Sequence, residues 1–189
     1  MVRSFSGRAP DPGLLEEIVL SARRAPAAGD TDGWDVVVLD GPQQTSAFWD
    51  ATTTPDWRER SRRWAGLSRA PVVLCMFCHP GAYSARYAEP DKRSSGLFDE
   101  EAWPVPFWYV DAGFAVLLVL LAASDKGLGA CFLGNFRGEQ QLKAALGVPF
   151  DRRYLGAVLL GEPGGEDPPS ASLGRRRRDA AQAFHRGHW

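Results

Sequence analysis

The chain has 189 residues, which is one domain or at most two small ones. Lys plus Arg total 22 against 23 for Asp plus Glu, a formal net charge of −1, which excludes a broadly basic nucleic-acid or membrane-surface binder. Nineteen of the 22 cations are arginines, and four of them form one run, Arg175 to Arg178.

From the N-terminus, Asp11 caps a helix with Pro12 at its first position. Leu14, Leu15, Ile18, Val19 and Ala22 fall on one face at helical spacing. Pro26, Gly29 and Gly33 break the chain over residues 26–34, and Val36 to Leu39 read as a strand ending in the turn Asp40-Gly41-Pro42. Residues 43–64 are expected to be one polar-faced helix, with Arg58 to Arg63 on a solvated surface. Residues 71–77 read as a second strand and 80–109 as irregular. A helix is expected from about Val110 to the stop at Gly127. Its stretch from Ala112 to Ala123 is about half of the ~20 residues a bilayer needs, so it reads as a core helix buried on all sides, in a soluble protein. Residues 128–133 form a third strand, Gly134-Asn135 a turn, 138–146 a short helix and 154–160 a fourth strand. The tail from 162 is rich in Pro, Gly and Ser, then basic, and ends in Trp189, a residue that calls for a docking surface. Strands and helices mix without βαβ alternation, so the class is α+β.

Three cysteines, Cys75, Cys78 and Cys131, make no disulfide framework and suit a reducing cytoplasm. Cys75 and Cys78 match C-x-x-C but lie in a strand, where positions three apart face opposite ways, so they read as buried apolar residues. No metal site is expected. Gly127-Leu128-Gly129 follows a helix and enters a strand, the reverse of a dinucleotide-binding fingerprint. Its glycines serve a tight turn or a close approach of backbone to a ligand. No nucleophile constellation and no carboxylate pair in apolar surroundings appear, which points to a borrowed cofactor or to no catalysis.

Four segments in order resemble the FMN-dependent nitroreductase family, in particular its short actinobacterial-type members. They are Val2-Arg3-Ser4-Phe5 with Ala22 to Trp34, then Asp111-Ala112-Gly113 through Ala123, then Gly127 to Gly134. The fourth is the last strand with Gly161-Glu162-Pro163, the arginine run and the ending His185-Arg186-Gly187-His188-Trp189. The resemblance implies a single nitroreductase-like domain over 1–189, a central mostly antiparallel sheet flanked by helices, and an intertwined homodimer. In it, residues 162–189 dock on the partner subunit. It implies FMN, NAD(P)H and a nitroaromatic, quinone-like or other small aromatic acceptor in a ping-pong, cytoplasmic oxidoreductase, with no catalytic side chain of its own because the chemistry is on the flavin.

By position, the resemblance places Arg3 near flavin N1 and O2, and the backbone of Leu133, Gly134 and Asn135 near N5. Arg175 and Arg177 grip the phosphate. Trp103, Phe107 and Trp108 precede the interface helix and serve either substrate stacking or core packing. Ala27, Asp30 and Asp32 stand where the family has Ser, Asn and Gln, and Met1 stands where it has a phosphate-binding Ser. Ionised Asp30 and Asp32 only accept hydrogen bonds and oppose an electron-rich ring, so weaker FMN binding, a lower flavin potential, or both are expected. Two other readings stay open: a flavin-dependent dehydrogenase or oxidase of secondary metabolism, and a non-catalytic homologue that has lost FMN.

Overall fold

The fold is taken from a computed structural model, which describes residues 1–165, 167, 169–176, 178–179 and 182–189. Helix α1 (Pro12–Ser21) starts as its sequence dictates: the Asp11 carboxylate accepts from the backbone N–H of Gly13 at 2.9 Å and of Leu14 at 3.3 Å, and Pro12 fills the first turn. Strand β1 (Trp34–Asp40) follows.

The single helix expected over residues 43–64 is three short ones, α2 (Pro42–Thr52), α3 (Pro55–Arg60) and α4 (Trp64–Leu67). The reason is local. Pro55 cannot continue α2, and Thr54 starts a new helix by accepting from the Trp57 N–H at 3.3 Å. Strand β2 (Val72–Cys78) is buried along its whole length. Residues 80–87, expected to be irregular, form α5 (Pro80–Tyr87), again opened by a proline in the first turn. The long helix α6 (Phe107–Asp125) is followed by β3 (Gly129–Leu133), α7 (Glu139–Leu146) and β4 (Arg153–Gly161).

The four strands form one antiparallel sheet in the order β1-β2-β4-β3, with a bulge between Met76 and Phe77. Strand alternation then divides the core. Val73, Cys75, Phe77, Cys131, Ala157 and Leu159 point to one face, under Phe48, Trp49 and Leu142 of α2 and α7. Val72, Leu74, Met76, Ala130, Val158 and Leu160 point to the other, under Leu15 and Ile18 of α1 and Ala115, Val116 and Val119 of α6. Cys75 and Cys78 belong to different packed clusters. Burial pushes both thiols up to about 12, with Arg153 pulling weakly the other way on Cys78.

The N-terminal segment extends this sheet edge. Val2 N–H donates to the Ala130 carbonyl at 3.0 Å, Phe5 bridges Pro163, and Gly164 N–H donates to the Ser4 carbonyl at 2.8 Å. A Cβ on Gly129 would lie 2.9 Å from Val2 Cγ1, so this glycine serves the approach of the chain's own N-terminus. Arg8 clamps the segment through Glu162 at 2.6 and 2.7 Å, and Ser6 and Arg8 hold the Glu162 carboxyl below the usual range.

Helix α6 is not buried on all sides. Ala112, Ala115, Val116, Val119 and Ala123 face the core, while Phe114, Leu117 and Leu121 are 42%, 50% and 56% exposed. Among the described residues it is the one helix long and apolar enough to cross a membrane by length and composition alone, and its inner face is part of the folded core.

Candidate functional site

Two hollows draw lining residues from α4, the first through Ala65 and Gly66 and the second through Leu67. The first, about 200 Å³, is lined by Arg3, Ser4, Arg62, Arg63, Ala65, Gly66, Arg69 and Asp167. It exists because the N-terminal segment lies directly on α4: Phe5 N–H donates to the Gly66 carbonyl at 3.3 Å. A Cβ on Gly66 would meet the Arg3 carbonyl oxygen at 2.6 Å. Arg69 Nη2 reaches the buried Ser4 hydroxyl at 3.4 Å. The Asp167 carboxylate accepts from the Arg3 backbone N–H at 2.9 Å and from Arg63 Nη1 at 3.0 Å.

The sequence reading missed Arg62, Arg63 and Arg69. The run from Arg58 to Arg63 is indeed solvated in part: Arg58 pairs with Asp50 at 2.7 Å and lies over the Trp64 ring, and Arg60 is fully in solvent near Asp56. Arg62 and Arg63 instead line the hollow, because the chain leaves α3 at Arg60 and turns before α4. No proline or glycine marks that break; its local feature is the Ser61 hydroxyl, which accepts from the Arg63 N–H at 3.4 Å.

The second hollow, about 190 Å³, is lined mainly by Trp49, Thr52, Thr53, Trp57, Leu67, Leu133, Gly134, Asn135, Phe136 and Arg137. Of the expected backbone trio, all three residues line it. At Gly134 an added Cβ would meet only the Phe136 ring, at 3.8 Å, so the main chain there is lightly covered. Asn135 Oδ1 accepts from the Tyr154 hydroxyl at 2.7 Å, and burial raises that phenol above its ordinary range. Trp49 Nε1, in the wall, is buried with no hydrogen-bond partner.

Ala27, Asp30 and Asp32 lie elsewhere, around a third hollow of about 230 Å³ with Arg23, Ala25, Thr31 and Trp34. Gly29 (φ 68°) and Asp30 (φ 56°) are both left-handed, a conformation Asn and Asp tolerate best among side-chain-bearing residues. The loop is tied down by Asp111, 3% exposed, which accepts from Ala28 N–H at 2.7 Å and from the Tyr83 hydroxyl at 2.8 Å. Burial first, then this bond, raises the Tyr83 phenol. Thr31 Oγ1 donates to the Ala28 carbonyl at 2.6 Å and Arg86 Nε to the Gly29 carbonyl at 2.9 Å. This loop enters β1, whereas Arg3 runs beside β3, so the two sets occupy opposite edges of the sheet. Within one chain they do not meet.

Trp103 and Trp108 are buried against Tyr83 and Ala112, and Trp103 Nε1 donates to the Leu97 carbonyl at 2.9 Å. Phe107 is 37% exposed. Arg175 is exposed after a 3₁₀ turn and lines none of these hollows. Arg177 lies outside the described residues. No group of three metal-ligand side chains occurs among the described residues.

The donor chemistry fits FMN: arginines for an anionic end in the first hollow, and aromatic, apolar and backbone surface for a flat ring in the second. A model described as the nitroreductase family matches residues 1–162. A protein called NADH dehydrogenase from Thermus thermophilus is 31% identical over 194 aligned positions, covering 90% of this chain and 87% of its own. A nitroreductase family protein from Streptococcus pneumoniae superposes with TM-score 0.70 at 17% identity over 98% of this chain and 94% of its own. A nitroreductase solved in complex with FMN, from Exiguobacterium sibiricum, does so with TM-score 0.70 at 14% identity, over 97% and 91%.

Proposed function

The chain belongs to the nitroreductase family, and on that premise we propose that it is an FMN-dependent NAD(P)H oxidoreductase working as a homodimer in the cytoplasm. The observation that carries the reading is the pair of hollows that both draw on α4, one lined by arginines and one lined by Leu133, Gly134 and Asn135. The chemistry FMN supplies when bound is hydride transfer, in ping-pong order, from NAD(P)H to a nitroaromatic, quinone or similar acceptor. Arg3 contributes positive charge where electron density increases on reduction, and Gly134 lets main chain approach the ring. Asn135 is oriented by Tyr154. Phe107, 37% exposed, is the substrate-stacking candidate; its ring packs on that of Trp103, which in turn packs on Trp108.

The second copy is needed for two reasons. Asp30, Asp32 and Ala27 reach a flavin on the far sheet edge only if another chain brings them there. The exposed stripe Phe114, Leu117 and Leu121 on α6 is an apolar face without a partner in one chain, the composition of an obligate interface. Phe184 and Trp189 of the tail are 69% and 94% exposed, which supports docking of its end on that partner, while Glu162 to Gly164 and Asp167 hold to the chain's own N-terminal segment.

A visible spectrum with light scattering tests the reading. Flavin bands near one per subunit on a dimer, and NAD(P)H consumption that depends on a quinone, are expected. A protein that takes up no flavin when FMN is added would overturn it.

A further inference from the structure

We infer that the hollow beside α4 is the phosphate-monoester site of this chain, and that Asp167 is its internal counter-anion, exchanged for the phosphate when ligand enters. The ligand's identity rests on the proposed FMN reading; the anion chemistry does not. Three arginines converge there from the turns flanking α4, Arg62, Arg63 and Arg69, and the N-terminal segment adds the Arg3 backbone N–H. Planar guanidinium forks match phosphate oxygens, and a hollow of about 200 Å³ admits a phosphate with part of a sugar chain but not a macromolecule. The arginine run of the tail, which sequence reading assigned to the phosphate, contributes none of the residues lining this hollow among those described.

Asp167 already makes the contacts a phosphate oxygen would make there. One carboxylate oxygen accepts from the Arg3 backbone N–H at 2.9 Å, the other from Arg63 Nη1 at 3.0 Å. It comes from the segment beyond β4, so it is tethered beside the site at high effective concentration. A carboxylate carries one charge and two acceptor oxygens, and a phosphate monoester about two charges and three such oxygens. The exchange is therefore favourable for a phosphate and unfavourable for a neutral ligand. It also ties loading of the site to release of the tail at residue 167.

The test compares wild type with Asp167→Asn by calorimetry against inorganic phosphate, and by flavin-fluorescence titration against FMN and riboflavin. Asp167→Asn removes the competing charge. It is expected to bind phosphate and FMN on the order of tenfold tighter, with riboflavin unchanged. Arg62→Gln with Arg69→Gln, checked for an unchanged melting profile, is expected to weaken FMN and phosphate and spare riboflavin. Equal or weaker FMN and phosphate binding by Asp167→Asn, or an equal change in riboflavin, overturns the inference. Neither protein taking flavin while Asp167→Asn still gains phosphate affinity sinks the flavin reading and leaves this one standing.

Discussion

The two edges of the sheet carry opposite chemistry. Beside β3, Arg3, Arg62, Arg63 and Arg69 are concentrated round one hollow, with Asp167 held among them. Before β1, Asp30 and Asp32 are held in a loop with Arg23 as the cation at the rim. The near-zero net charge of the chain is thus a sum over two separated fields and describes neither. The difference in construction is as large. The β3 edge is assembled from segments distant in sequence, whereas the β1-edge loop is one short stretch pinned by the buried Asp111 carboxylate and by Arg86.

That contrast predicts which edge each change breaks. Asp111→Ala leaves the Ala28 N–H and the Tyr83 hydroxyl without their acceptor in a buried place. It should cost about 4 kcal/mol in denaturant unfolding and loosen the 26–34 loop in hydrogen exchange. Phosphate binding at the other edge should survive it; loss of both together would mean the edges are not independent. Gly66→Ala acts on the opposite side. Its Cβ would sit 2.6 Å from the Arg3 carbonyl, so the N-terminal segment must move, at about 2 kcal/mol, and the arginine hollow with it. Hydrogen exchange in the 26–34 loop should stay as in wild type.

Asp30→Asn should be nearly silent in stability, since Asn accepts a φ of 56° at least as well as Asp. In the dimer it restores an amide donor and removes a charge, so FMN should bind a few-fold tighter and its potential should rise. A fully flavin-loaded wild type that binds FMN as tightly as this variant would show that the carboxylate carries no cost. The last effect needs no substitution and belongs to the centre shared by both edges. Cys75 and Cys78 keep their protons up to about pH 12 in the fold, while unfolded thiols lose theirs near 9. Folded chains therefore bind more protons above pH 9. Stability should fall as pH rises through that window, at first by about 1 kcal/mol per thiol per pH unit, and be untouched below it. Native thiols should correspondingly resist disulfide reagents at pH 8.

Much of the architecture was legible residue by residue. Runs such as Val36 to Leu39 and Val72 to Phe77 announce strands because burial on a sheet selects β-branched and apolar residues. Asp11-Pro12 announces a helix start because its chemistry is local. The errors fell where one local signal outweighed another: Pro55 split an expected long helix, and Pro80 opened an unexpected one. At the site, Gly134-Asn135 and the Asp30 loop were found through their resemblance to a family, and Arg62, Arg63 and Arg69 were not found at all. Their periodicity is that of a solvated surface, and what distinguishes them is the neighbour that the fold brings.

By itself, then, the chain's order of residues determined its strands, its helix starts, its alternating core and its family, since each of these is a short-range pattern of polarity and backbone preference. Only the tertiary structure decided which of nineteen arginines share a hollow. It also decided that Gly129 and Gly66 serve the N-terminal segment, that α6 keeps an apolar stripe outward, and that Asp167 lies among cations. Those outcomes depend on contacts between residues as far apart as Arg3 and Asp167. Long-range closure of that kind leaves no period in the sequence.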